Sequence, residues 1–171
     1  LKHDYIGSIR ARLQSLVIGS KGLMLNTKRS INFEDLLDRK VVLELEGIKN
    51  GNEKALIMGF ILAAFNEAVK ARYLRDKKAH SHIILVEESH RLLSKYMPGD
   101  SQNKKQGVET FSDMLAEIRK YGEGLIIVDQ IPNKLAADVL KNTNTKIVHR
   151  IFAQDDKEAV GNTMALKEEQ K

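Results

Sequence analysis

Two adjacent carboxylates, Glu87 and Glu88, end a run of apolar, mostly β-branched residues, Ile83-Ile84-Leu85-Val86. Acids at the end of a buried strand suit phosphoryl-transfer chemistry. One carboxylate can serve the hydration shell of a bound Mg²⁺ while the other orients an attacking water. A second apolar run, Leu125 to Val128, ends at Asp129-Gln130, and a third strand-like run, Lys146-Ile147-Val148-His149, ends at Arg150. If the three runs are parallel strands, their polar ends share the edge of the sheet where open α/β folds bind ligands. Each group also has a plainer reading. The acids can close a solvated turn, Gln130 can be turn chemistry beside Pro132, and Arg150 can pair with Asp155 or Asp156.

The elements that must position these groups alternate along the chain. An apolar stripe through Tyr5, Ile6, Ile9, Leu13, Leu16 and Val17 predicts a helix over about 3–18, stopped by Gly19 and Gly22. Leu23-Met24-Leu25 reads as a short strand, and Asn32 as the cap of a brief helix through Leu37. Lys40 to Glu46 reads as a buried strand, and Asn52 opens the longest helix, about 53–73. The acidic strand reads as buried on both faces, with a helix after it through Ser94. Pro98, Gly99 and neighbouring polar residues predict a mobile loop over about 95–106. Helices over about 108–121, 135–140 and 154–165 flank the strands 125–128 and 146–149. This alternation predicts an α/β fold, a parallel sheet with flanking helices joined by right-handed crossovers.

At 171 residues the chain is long enough for one domain with a proper core. It has no cysteine, which excludes disulfides and thiolate metal sites and points to a reducing, cytoplasmic setting. No apolar stretch is long enough to span a bilayer, so no membrane association is expected. The net charge of +5 weakly favours a polyanionic partner, and the 5% aromatic content argues against base stacking on single strands. His80 and His82 have His-x-His spacing but no Cys or acid cluster beside them, so a metal site there is not expected.

Residues 84–93 (Ile-Leu-Val-Glu-Glu-Ser-His-Arg-Leu-Leu), 117–130 (Glu-Ile-Arg-Lys-Tyr-Gly-Glu-Gly-Leu-Ile-Ile-Val-Asp-Gln) and 144–150 (Asn-Thr-Lys-Ile-Val-His-Arg) resemble the HerA–FtsK superfamily, the HerA branch in particular. These are ring-forming, RecA-like P-loop ATPases that pump DNA, and the likeness spans about 41–164. The resemblance implies ATP and Mg²⁺ as cofactors. It implies Glu87 as the Mg²⁺-associated acid acting through water, Glu88 as the carboxylate that activates the hydrolytic water, and Gln130 as the sensor of the γ-phosphate. Arg119 falls where related coupling-protein ATPases have an arginine finger offered to the neighbouring subunit; a solvated helix end is its plainer reading. Arg150 resembles a second phosphate-facing arginine, and His90 follows the acids as in the family. The resemblance further implies double-stranded DNA as partner, a homo-oligomeric (hexameric) ring and cooperation with a nuclease. Lys104, Lys105, Lys134 and Lys141 are candidate residues of the DNA channel, a solvated loop being the plainer reading of each.

A phosphate-cradling loop ending in Gly-Lys-Ser/Thr is missing. Gly19-Ser20-Lys21-Gly22 matches it only superficially and reads as a turn between elements. The chain begins with Leu, and the reading is of a single partial ATPase domain, 1–171, whose phosphate loop lies upstream and which by itself does not hydrolyse ATP. Two alternatives stand beside the motor: a conjugation- or secretion-type transport ATPase, and a non-hydrolysing scaffold that keeps the fold.

Overall fold

A computed structural model describes residues 2–100 and 102–170; Ser101, inside the predicted loop, lies outside them. The chain separates into two compact units, Leu1–Asn32 and Phe33–Lys171, with the break ahead of the region 41–164. The first holds helices α1 (Lys2–Leu16) and α2 (Gly19–Leu25). Residues 23–25 are therefore helical rather than a strand. A lone three-residue apolar run carries no strand signal that a short helix cannot also satisfy. The predicted stripe Tyr5, Ile6, Ile9 and Leu13 is on α1 but exposed.

The second unit runs α3 (Phe33–Leu36), α4 (Gly51–Asp76), β1 (His82–Glu87), α5 (Gln102–Ile118), β2 (Glu123–Val128), α6 (Ala137–Asn142) and α7 (Gln154–Thr163). Asn50, not Asn52, caps α4: its side chain accepts the backbone N–H groups of Asn52 (2.9 Å) and Glu53 (3.1 Å). Strands β1 and β2 pair in parallel, from His82 opposite Glu123 to Glu87 opposite Val128. The parallel β1–α5–β2 unit is the element of the expected α/β architecture that the structure contains.

The sheet has these two strands only, among the described residues. Residues 41–45 and 143–150 carry no ladder bonds, so the strands expected at 40–46 and 146–149 do not form. Both runs contain β-branched apolar residues, but Val42 and Ile147 are more than four-fifths exposed. A β-branched run becomes a strand only where a neighbour meets its N–H and C=O groups, and none does here. The expectation of a strand buried on both faces is corrected for the same reason. Burial along β1 alternates, with Ile83 and Leu85 exposed, because helices cover one face of the sheet and none of the described elements covers the other.

On the covered face, Ile84 packs with Phe65, Ala68 and Val69 of α4 and Ile118 of α5. Leu125 and Ile127 pack with Leu93, Leu115, Leu135 and Val139. Gly59 lets the two helices approach, since a Cβ there would lie 3.0 Å from the Phe111 ring. Gly122 ends the Arg-Lys-Tyr-Gly turn at φ +92, and a Cβ on it would lie 2.5 Å from the His80 carbonyl oxygen. That turn aims the chain into β2. The helix expected after β1 shrinks to a 3₁₀ turn at Ser89–Arg91, whereas α5 begins at Gln102, inside the stretch expected to be loop.

Candidate functional site

The register of the two strands decides the site. Glu87 lies opposite Val128, so Glu88 and Asp129 leave the sheet side by side at its carboxyl edge, about 5 Å apart by ordinary strand spacing. Glu87 belongs to the exposed face, with Ile83 and Leu85. Glu88 turns into the left-handed region (φ 50, ψ 41), an uncommon conformation for a residue with a side chain. It reverses the chain so that the next residue, Ser89, is fully buried and donates its hydroxyl to the Val86 carbonyl at 2.8 Å.

The Glu88 side chain is half-exposed and pairs with Arg91 three residues on. The Arg91 guanidinium holds the Glu88 carboxyl below its usual pKa, with Lys54 and His90 adding to the effect. Arg91 itself sits beside the start of α4: a Cβ on Gly51 would lie 3.2 Å from its Nη1.

The segments that follow the two strands are interlocked. Asp129, with a side chain only 4% exposed, accepts the His90 backbone N–H at 2.8 Å and the Ile131 N–H at 2.9 Å. The His90 ring lies with Nδ1 2.9 Å from Asp129 Oδ2. Beyond it, the Ala136 N–H donates to the Leu93 carbonyl at 2.8 Å and the Lys95 N–H to the Lys134 carbonyl at 2.7 Å, around an antiparallel bridge between Ser94 and Leu135. Asp156 of α7 accepts the Asn133 N–H at 2.9 Å, and Asp155 accepts from the Asn133 side chain at 2.9 Å.

The sequence-predicted residues distribute unevenly over this frame. Glu87, Glu88 and Gln130 come together at the carboxyl edge, Gln130 being exposed. Arg119 is also exposed but precedes β2, at the other end of a six-residue strand, about 20 Å away at ordinary strand rise. Arg150 follows the run that does not form a strand and lies over the Phe152 ring, 4.6 Å from its centroid. Its suggested partners, Asp155 and Asp156, are engaged with Asn133 instead. Asp129 and Arg91 join this edge without being among the sequence-predicted residues. Asp129 had a visible signal, because it ends an apolar run just as Glu87 and Glu88 do. Arg91 had none beyond its i,i+3 spacing from Glu88.

The amino edge holds a different cluster. The Glu123 side chain is buried beneath His82, whose Nδ1 is 2.8 Å from Oε1, and the His82 ring stacks on Phe65. Burial pushes the Glu123 carboxyl up, against the lowering effects of His82 and the Ile84 backbone amide. His80 pairs with Asp76 at 3.0 Å. No group of three His, Cys, Asp or Glu side chains suited to a metal exists among the described residues. A cavity of about 240 Å³ runs along Val148, Ile151 and α7, and its lining includes neither the acids nor Gln130.

Fold and site thus define an α/β chain whose two parallel strands carry an acid pair and an amide to one carboxyl edge. In sequence the chain is HerA-like. Over 82 residues, 48% of this chain, it is 34% identical to the DNA double-strand break repair helicase HerA of Pyrococcus furiosus, and covers 14% of that protein. It is 35% identical over 78 residues to a probable DNA double-strand break repair helicase HerA of Methanocaldococcus jannaschii, covering 46% of this chain and 14% of that one. A probable helicase of the same organism is 26% identical over 132 residues, 75% of this chain and 24% of its own length. The chain therefore spans about a seventh of the length of the two HerA proteins. No family model and no solved structure matches it.

Proposed function

We propose that this chain is part of the motor domain of an ATP-hydrolysing, ring-forming DNA translocase or helicase with a RecA-like core. The observation that carries this reading is the in-register pairing of β1 and β2, which brings the turns bearing Glu88 and Gln130 together. In this reading Glu88 orients the attacking water, Gln130 senses the terminal phosphate, and Glu87 faces Mg²⁺ through water. Two adjacent, exposed carboxylates suit a hard cation that keeps most of its water, whereas a dedicated all-protein cage would need more acids than this edge supplies. When bound with ATP, Mg²⁺ supplies charge compensation for the transferred phosphoryl group. These 171 residues contain no Gly-Lys-Ser/Thr phosphate loop.

Arg119 precedes β2, at the sheet edge opposite the acids and too far to reach them in its own subunit, which supports service to a neighbouring subunit in a hexameric ring. Arg150 has less support, since its guanidinium is engaged with Phe152. Double-stranded DNA is the proposed track, by likeness to relatives named for DNA double-strand break repair; a nuclease as working partner rests on the family resemblance alone. Among the candidate channel lysines, Lys134 and Lys141 are exposed, while Lys104 pairs with Asp100 and Lys105 lies 3.8 Å from Glu109. No described helix is long and apolar enough to cross a membrane.

The test is ATP hydrolysis by the full-length protein with and without duplex DNA, beside the Glu88→Gln variant. The motor reading expects stimulation by DNA and a loss of about 10²-fold or more in the variant. Activity indifferent to both rejects it. A parent sequence lacking Gly-Lys-Ser/Thr would instead favour the scaffold reading.

A further inference from the structure

We infer that Asp129 and His90 form a positioning pair that locks the turn carrying Glu88 to the turn carrying Gln130. For its catalytic consequence the inference rests on the function proposed above. Asp129 immediately precedes Gln130, and His90 follows Glu88 by two residues. Both Asp129 oxygens are used across the gap between the turns or within its own turn. Oδ2 takes the His90 N–H at 2.8 Å, Oδ1 takes the Ile131 N–H at 2.9 Å, and the His90 Nδ1 lies 2.9–3.0 Å from both. Because a carboxylate only accepts, Nδ1 is the protonated nitrogen of the ring.

A buried carboxylate holding three charge-assisted hydrogen bonds from two segments resists their separation. On the β1 side, Ser89 is fully buried and Glu88 is held in a left-handed conformation, so that segment has little freedom of its own. Asp129 thus converts two neighbouring strand ends into one rigid unit with a set distance between the acid and the amide. Hydrolysis depends on that distance, because a water must meet both groups at once, and a misplacement of about 1 Å in such an arrangement costs roughly 10²-fold in rate.

The experiment combines amide hydrogen exchange with steady-state ATP hydrolysis on the full-length protein and three variants: Asp129→Asn, His90→Ala and His90→Asn. Asn at position 90 keeps an N–H donor near the position of Nδ1. The pair predicts that exchange in 88–94 and 129–135 rises together in Asp129→Asn and His90→Ala, stays protected in 82–87 and 123–128, and is restored in His90→Asn. It also predicts that kcat falls roughly 10- to 100-fold in the first two variants with KM for ATP within about threefold, and recovers in the third. Independent exchange in the two turns, or failure of His90→Asn to restore protection where His90→Ala loses it, overturns the lock. Full kcat in Asp129→Asn and His90→Ala despite joint loss of protection overturns the catalytic consequence. Because exchange is read without nucleotide, a protein that hydrolyses no ATP sinks the proposed function and leaves the lock to be judged by exchange alone.

Discussion

Strand β2 carries a buried carboxylate at each end, and the two are solvated by the protein in opposite ways. Asp129, at the carboxyl edge, sits among backbone N–H groups and a ring nitrogen drawn from both strand-ending segments. Glu123, at the amino edge, has the His82 ring and one backbone amide, in a hollow also lined by Leu37, Val69, Arg72 and Tyr121. Burial therefore dominates at Glu123 and raises its pKa, while Asp129 is met by three hydrogen-bond donors. The carboxyl edge holds its carboxyl group in a set geometry. The amino edge tolerates one beneath a helix layer.

The sharpest way to break this contrast is to empty the carboxyl edge. Asp129→Ala leaves three donors without their acceptor and is expected to destabilise the protein by about 3 kcal/mol in chemical denaturation, because stranding buried polar groups is costly. Next is the turn that feeds the amino edge. Gly122→Ala meets the His80 carbonyl in a left-handed conformation and is expected to cost about 2 kcal/mol, read by the same measurement.

Glu123→Gln tests the electrostatics of the amino edge. The folded protein binds the Glu123 proton more tightly than the unfolded chain does, so that contribution is fully present below the ordinary carboxylate pKa. It is lost as pH rises from there through the raised value. Stability of the wild type should decline across that window and Glu123→Gln should lose the decline; an unchanged slope in the variant would remove the contrast. The smallest effect is expected from Arg91→Ala. Without the guanidinium, the Glu88 carboxyl should titrate closer to its ordinary range, a shift readable by NMR, with melting temperature little changed because the pair is exposed.

Part of this was legible from residue order alone. The apolar runs ending in Glu87-Glu88 and in Asp129-Gln130 marked both strands, and the spacing between them marked a parallel crossover with α5 between. Lys40 to Glu46 and Lys146 to His149 carry the same local signal and form no strands. All four runs carry β-branched residues; what separates them is whether a second backbone lies alongside. The candidate site shows the same division. Glu88 and Gln130 were visible as chemistry, whereas Asp129 shows its role only when His90, 39 residues away, donates to it.

Residue order by itself determined which side chains end each apolar run, the helix between the strands and the absence of a glycine-rich phosphate loop, because these depend on side-chain type and periodicity within a few residues. The tertiary structure alone decided that Glu88 and Gln130 share an edge, that Arg119 stands at the other, and that Asp129 ties two turns together. Those facts follow from strand register and burial, which depend on contacts between residues far apart in the chain.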